Sequence, residues 1–129
     1  MATVNLTESS FAETIKGNPI VLVDFWAEWC GPCRNFAPVY ENASETNADI
    51  VFAKVDTEAE RGLAGSFEIS SIPTLIAIRD GIVLYSQAGA LPKEGLDNLI
   101  AAIRDVDMEA VRKEIAKANE PESQDQIAE

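Results

Sequence analysis

The sequence predicts an α/β protein with a central mixed β-sheet flanked by helices on both faces. Three observations carry that prediction. Short, almost continuously apolar runs alternate with stretches of helical spacing, the pattern of strands covered on both faces. Asp80-Gly81, between two apolar runs, signals a hairpin, so part of the sheet is antiparallel. The chain has 129 residues, 47% of them hydrophobic, enough for one real core and with no internal repeat.

The elements follow in order. Thr7 is the expected N-cap of a first helix that lines up Phe11, Ala12 and Ile15 and stops at Gly17-Asn18-Pro19. Residues 20–27 form a strand, apolar except for Asp24, and such continuity suits a central position. Pro32 stands in the first turn of the next helix, where proline is tolerated. Phe36, Val39, Tyr40 and Ala43 make that helix's inner stripe, and Pro38 inside it is expected to kink it. Residues 50–55 are a second buried strand, ended by Asp56. Residues 58–67 read as a short helix, irregular because of Gly62 and Gly65. Residues 75–78 and 83–87 are the two hairpin strands. Pro92 opens a helix with Leu96, Leu99, Ile100 and Ile103 facing inward.

Composition excludes several classes of function. The chain has no histidine, which removes Ser-His-Asp and Cys-His nucleophilic sites and every His-ligated metal site. A net charge of −12 argues against a nucleic-acid partner and against an anionic membrane surface. No run of about 20 apolar residues exists, so no membrane span is expected. The opening residues have no basic segment and no long apolar stretch, so no signal peptide is expected and the location is cytoplasmic. Structural disulfides are rare there, and a Cys-x-x-Cys pair is more often catalytic or metal-binding.

Both cysteines of the chain lie in Trp26-Ala27-Glu28-Trp29-Cys30-Gly31-Pro32-Cys33, between the first apolar strand and the second helix. A helix N-terminus stabilises a negative sulfur, so a strand that delivers Cys-x-x-Cys to a helix start is a redox arrangement. A static disulfide, a binding module with incidental thiols and a zinc site compete with that reading. The zinc site is the poorest of them, with two cysteines, no histidine and a proline between them.

This octapeptide resembles the active-site signature of the thioredoxin family. Asp24, two residues before Trp26, matches a buried carboxylate of that family. Ile72-Pro73-Thr74 resembles its cis-proline loop, and Gly89-Ala90 the glycine after its last strand. The resemblance covers roughly residues 3–104, and implies a thioredoxin domain at 1–104, a thioredoxin fold and a protein-disulfide reductase that serves cell redox homeostasis. On this reading Cys30 is the exposed nucleophile and Cys33 the resolving thiol. Asp24 exchanges a proton with the buried cysteine through water, and Lys54 is its partner. Pro73 is cis. Trp29, Gly31, Pro32, Ile72, Pro73, Gly89 and Ala90 form a flat substrate patch, and the Ile72 backbone pairs with an extended target strand. Trp26 and Pro38 are structural. The resemblance implies no bound cofactor or metal beyond the redox-active disulfide Cys30–Cys33. It implies disulfide-containing target proteins and a thioredoxin reductase as partners, and a monomer. The Gly31-Pro32 pair is associated with reducing members.

Four features depart from the family pattern. Arg34 stands where lysine is frequent, and Ile78 where an aromatic residue is common. Glu68, Ser70 and Ser71 precede the proline loop and are candidates to tune partner choice. The fourth and largest is the segment 105–129, with eight acidic and three basic residues. Asp107 is positioned to cap a helix with one narrow apolar stripe, Met108, Val111, Ile115 and Ala118. That stripe either packs loosely on its own domain or docks on another protein or a second copy. From Glu120 onward the composition reads as a disordered acidic end.

Overall fold

The computed structural model describes residues 2–119. Five strands and five helices follow in the order β1 (Thr3–Asn5), α1 (Phe11–Gly17), β2 (Ile20–Trp26), α2 (Gly31–Thr46), β3 (Val51–Asp56), α3 (Arg61–Ser66), β4 (Thr74–Arg79), β5 (Ile82–Ala88), α4 (Lys93–Asp105) and α5 (Met108–Ala118). The strands form one sheet in the order β1-β3-β2-β4-β5. The β1–β3 and β3–β2 pairs are parallel, and β2–β4 and β4–β5 are antiparallel. The mixed sheet expected from the sequence is therefore present.

Period-two alternation divides the core into two layers. Leu22, Phe52, Leu75 and Ala77 meet Phe36, Tyr40 and Ala43 of α2 and Leu96, Ile100 and Ile103 of α4. Val21, Val23, Phe25, Ala53, Val55 and Ile76 face the other way, toward Phe11 and Ile15 of α1 and Leu63 of α3. Each fully buried side chain of this size contributes roughly 1.5–3 kcal/mol relative to exposure. β2, at the centre, is buried along all but its last residue, as its continuous apolar run anticipates.

Several boundaries differ from the expectation. β1 was not expected. It holds only three residues and exists because Thr3, Val4 and Asn5 find Phe52, Ala53 and Lys54 across the sheet. Ser10, not Thr7, stands at the N-cap of α1. Thr7 instead closes the preceding turn, its carbonyl accepting from the Ser10 and Phe11 amides at 3.2 and 3.0 Å. α3 is shorter than expected, because Asp56 Oδ1 accepts from the Glu58 amide at 2.9 Å and holds that stretch as a turn. Pro38 lies inside α2 without ending it. The hairpin tip has Asp80 at φ 53° and Gly81 at φ 79°, the pair of positive angles that a type I′ turn needs.

α5 begins as the sequence predicts. Asp107 Oδ1 accepts from the Glu109 and Ala110 amides, both at 3.1 Å. Met108 is buried, Val111 is half-buried, and Ile115 is 41% exposed. The junction with α4 is held from β4. Arg79 Nη1 donates to the carbonyls of Ile103, Arg104 and Val106 at 2.9, 3.1 and 3.0 Å. The last carbonyls of a helix lack intrahelical partners, and a guanidinium satisfies them. Arg112 and Asp80 add an ion pair at 3.4 Å. The acidic end expected from Glu120 onward lies outside the described residues. Among the described residues no helix is long and apolar enough to cross a membrane.

Candidate active site

β2 ends at Trp26, and four residues later Cys30 is the N-cap of α2, with φ −86° and ψ 112°. The first amides of a helix have no intrahelical partner. Here the sulfur takes one, as the Cys33 amide donates to Cys30 Sγ at 3.2 Å. Cys30 and Cys33 are disulfide-bonded, with their Cα atoms 5.2 Å apart. Pro32 sits in the first turn, where its missing N–H costs nothing.

The expectation of an exposed Cys30 is corrected. Both cysteines are only 3% exposed, packed with Ala27 and against Trp26 and Ile72. The two sulfurs still differ in access. Cys30 lines an open cavity of about 570 Å³ with Trp29, Gly31, Pro32 and Ile72, and Cys33 does not. Trp29 is 67% exposed at its edge. The Ile72 carbonyl oxygen lies 3.7 Å from Cys30 Sγ, and the Ile72–Pro73 peptide is cis.

The expected flat patch is divided. Trp29, Gly31, Pro32 and Ile72 line the cavity, but Pro73 is buried, and Gly89 and Ala90 are exposed off its wall. Gly89 is tied to the loop, its amide donating to the Pro73 carbonyl at 2.8 Å. Its φ of 111° is open to glycine and strained for any other residue.

Asp24 is 1% exposed, in register between Lys54 of β3 and Leu75 of β4. Leu22, Asp24 and Trp26 alternate onto the face that α2 covers. Among the described residues neither Asp24 oxygen has a hydrogen-bond partner, and neither has the Trp26 Nε1–H. Burial pushes the Asp24 carboxyl from 3.8 up to about 7, against the pull of the Lys54 charge. Lys54 lies beside Asp24 in register, and its Nζ rests over the Trp26 ring, 4.8 Å from the centroid. Deeper in the same layer the Tyr40 hydroxyl donates to the Ala53 carbonyl at 2.8 Å. Burial, and then the Asp24 charge, raise the Tyr40 hydroxyl well above its ordinary value.

The far wall of the cavity comes from residues that motif reasoning missed. Thr57, Glu58, Arg61, Ala64 and Ile69 line it, beside the flagged Ser70 and Ser71. No local signal marks them. Thr57 is tied to the end of β2 just before the cysteines, its amide and hydroxyl donating to the Trp26 carbonyl at 2.9 and 3.1 Å. Among the described residues no group of three His, Cys, Asp or Glu side chains could hold a metal ion.

A sulfur at a helix N-terminus, beside an open cavity, suits thiol–disulfide exchange. Comparison with known proteins bears on the same point. The thioredoxin family model matches residues 2–102. A Streptomyces coelicolor relative is 53% identical over 116 residues, 90% of this chain and 87% of that protein. The thioredoxin of Bacillus subtilis is 43% identical over 102 residues, 78% of this chain and 96% of that one. The solution structure of oxidised thioredoxin from Plasmodium falciparum superposes with a TM-score of 0.72 at 35% identity, covering 80% of this chain and 98% of that one. Agreement over this much sequence and this much fold makes the assignment: the chain belongs to the thioredoxin family, protein-disulfide oxidoreductases that exchange electrons through a cysteine pair and need no bound cofactor.

Proposed function

We propose that this chain reduces disulfides of cytoplasmic target proteins, with Cys30 attacking, Cys33 resolving and Asp24 accepting the proton. In the reduced form the Cys30 thiolate attacks one sulfur of the target disulfide. The target's S–S bond breaks, a mixed disulfide forms with Cys30, and the other target sulfur leaves as a thiolate. Cys33 then loses its proton to Asp24, through a bridging water, and attacks Cys30 Sγ. The second target sulfur leaves, two electrons have passed to the target, and the product is the Cys30–Cys33 disulfide. A thioredoxin reductase returns the two electrons.

The observation that carries the reading is the difference in access: Cys30 lines the cavity and Cys33 does not. The Cys33 amide on Cys30 Sγ supports the same assignment, since a donated N–H stabilises thiolate over thiol. The Ile72 backbone beside that sulfur is placed to pair with an extended target segment. The redox unit on this reading is 1–104, supported by a family match that ends at residue 102, and 105–129 is an extension to it.

Serine variants test the order of events. Cys33→Ser is expected to accumulate a covalent adduct with a disulfide-bonded protein, visible on a non-reducing gel. Cys30→Ser is expected to form none and to lose reduction of that protein by dithiothreitol. An adduct from Cys30→Ser alone would reverse the roles.

A further inference from the structure

α3 is six residues long, contains two glycines and has no fully buried side chain, Leu63 being only partly covered. It nevertheless supplies part of the cavity wall above Cys30. Such an element is held only weakly by packing, and hydrogen bonds add to it. The Glu8 amide donates to Glu60 Oε1 at 2.9 Å, and the Gly62 amide donates to Glu8 Oε2 at 3.0 Å. The two neighbours of Arg61 are thus tied to one residue of the turn before α1. The approach is close enough that a Cβ on residue 62 would meet Glu8 Oε2 at 2.6 Å. The backbone of Arg61 is held at the cavity rim from both sides.

Glu58 is the other charged residue on the cavity wall. Its carboxylate stands 3.8 Å from Arg61 Nη2, and its carbonyl accepts from Arg61 Nε at 3.4 Å. These are long contacts between exposed groups, readily exchanged for other partners. The remaining donors of the guanidinium fork have no partner among the described residues. On a chain of net charge −12, whose field repels acidic partners, this places a cation on the wall of the cavity that Cys30 lines.

We propose that Arg61 is a specificity-determining residue that pairs with a carboxylate on the target segment flanking the attacked disulfide. A guanidinium binds a carboxylate through two parallel hydrogen bonds, which gives orientation as well as attraction. Glu8, Glu60 and Gly62 are positioning residues for it. The inference rests on the reductase reading of Cys30.

Two disulfide peptides, identical except for Asp or Lys beside the attacked cysteine, test it. The readout is the ratio of kcat/KM for the acidic over the basic peptide. Arg61→Gln is expected to lower that ratio about threefold, through KM, and Arg61→Glu to lower it further, the scale of an exposed ion pair. High salt should shrink the wild-type dependence on the flanking charge. A merely structural role for Arg61 would move both peptides equally and leave the ratio unchanged, which overturns the proposal. Failure of the wild type to reduce either peptide overturns the reductase reading instead. Arg61→Gln, of similar length and uncharged, decides the matter should Arg61→Glu disturb α3.

Discussion

Between about pH 4 and pH 7 the unfolded chain loses the Asp24 proton while the folded chain keeps it, because the folded carboxyl titrates at about 7 rather than 3.8. The unfolded state then binds fewer protons, so stability falls as pH rises through this window and levels off above it. The shift sets a ceiling of about 4 kcal/mol on the loss. Asp24→Asn is expected to flatten this dependence and to be more stable than wild type at pH 8 by about 2–3 kcal/mol, read from urea midpoints across the pH range. The same substitution should slow turnover about tenfold or more if Asp24 takes the Cys33 proton; an unchanged rate would remove Asp24 from the mechanism. Asp24 was legible in the sequence because a lone acid interrupts an apolar run. The Lys54 contact was legible only in part. Its register beside Asp24 follows from the two strands, but its stacking on Trp26 depends on a rotamer that no pattern records. The burial of Cys30 is of the same kind, since it depends on Ile72 folding back from forty-two residues downstream.

At the scale of elements, the pairing of Glu8 with the start of α3 makes an unusual sign prediction. Ala is favoured over Gly inside a helix by about 1 kcal/mol. In wild type, Gly62→Ala drives Glu8 away from the Gly62 amide, and the lost charge-assisted bond outweighs that gain. The variant is expected to be less stable by about 1 kcal/mol. In a Glu8→Ala background the same Gly62→Ala change is expected to stabilise. Thermal or urea melts of the four proteins complete the cycle, and additive effects would mean that Glu8 does not hold α3. The long strands and helices were legible because each carries its own period: β2 as a continuous apolar run, α4 as an inward stripe. β1 was not, since only Val4 among its three residues is apolar and its pairing with β3 lies across the sheet. The cap of α1 falls on Ser10 rather than Thr7, and no local pattern separates them, because Thr7, Ser9 and Ser10 offer competing hydroxyls that bond to one another within the turn. Glu8 and Glu60 look like surface charges in a linear reading, and only the fold brings them together.

Across the whole molecule, the antiparallel pairing of β2 and β4 separates two ends. Thr74, at the proline loop, pairs with Phe25 near the cysteines, while Arg79 pairs with Ile20 at the opposite end of the sheet, about 17 Å away. Arg79 and Asp80 hold the start of α5 at that far end. Removal of residues 107–129 should therefore cost about 1–3 kcal/mol, the scale of burying Met108, and leave kcat/KM for disulfide reduction unchanged. Light scattering before and after this truncation tests the docking role of the apolar stripe. An unchanged mass and unchanged partners would end it. The fold class and the dithiol were legible because strand, motif and helix are contiguous in the chain. The cavity wall was not, because it is assembled from a third of the molecule.

The chain holds only two tryptophans, and both stand at the dithiol: Trp29 exposed at the cavity edge and Trp26 packed against the cysteine pair. A disulfide quenches nearby indole emission, whereas a pair of thiols does so far less. The intrinsic fluorescence of this protein therefore carries no background from distant tryptophans. Its intensity should rise on reduction and fall on oxidation, so each turnover can be followed optically on the unmodified chain.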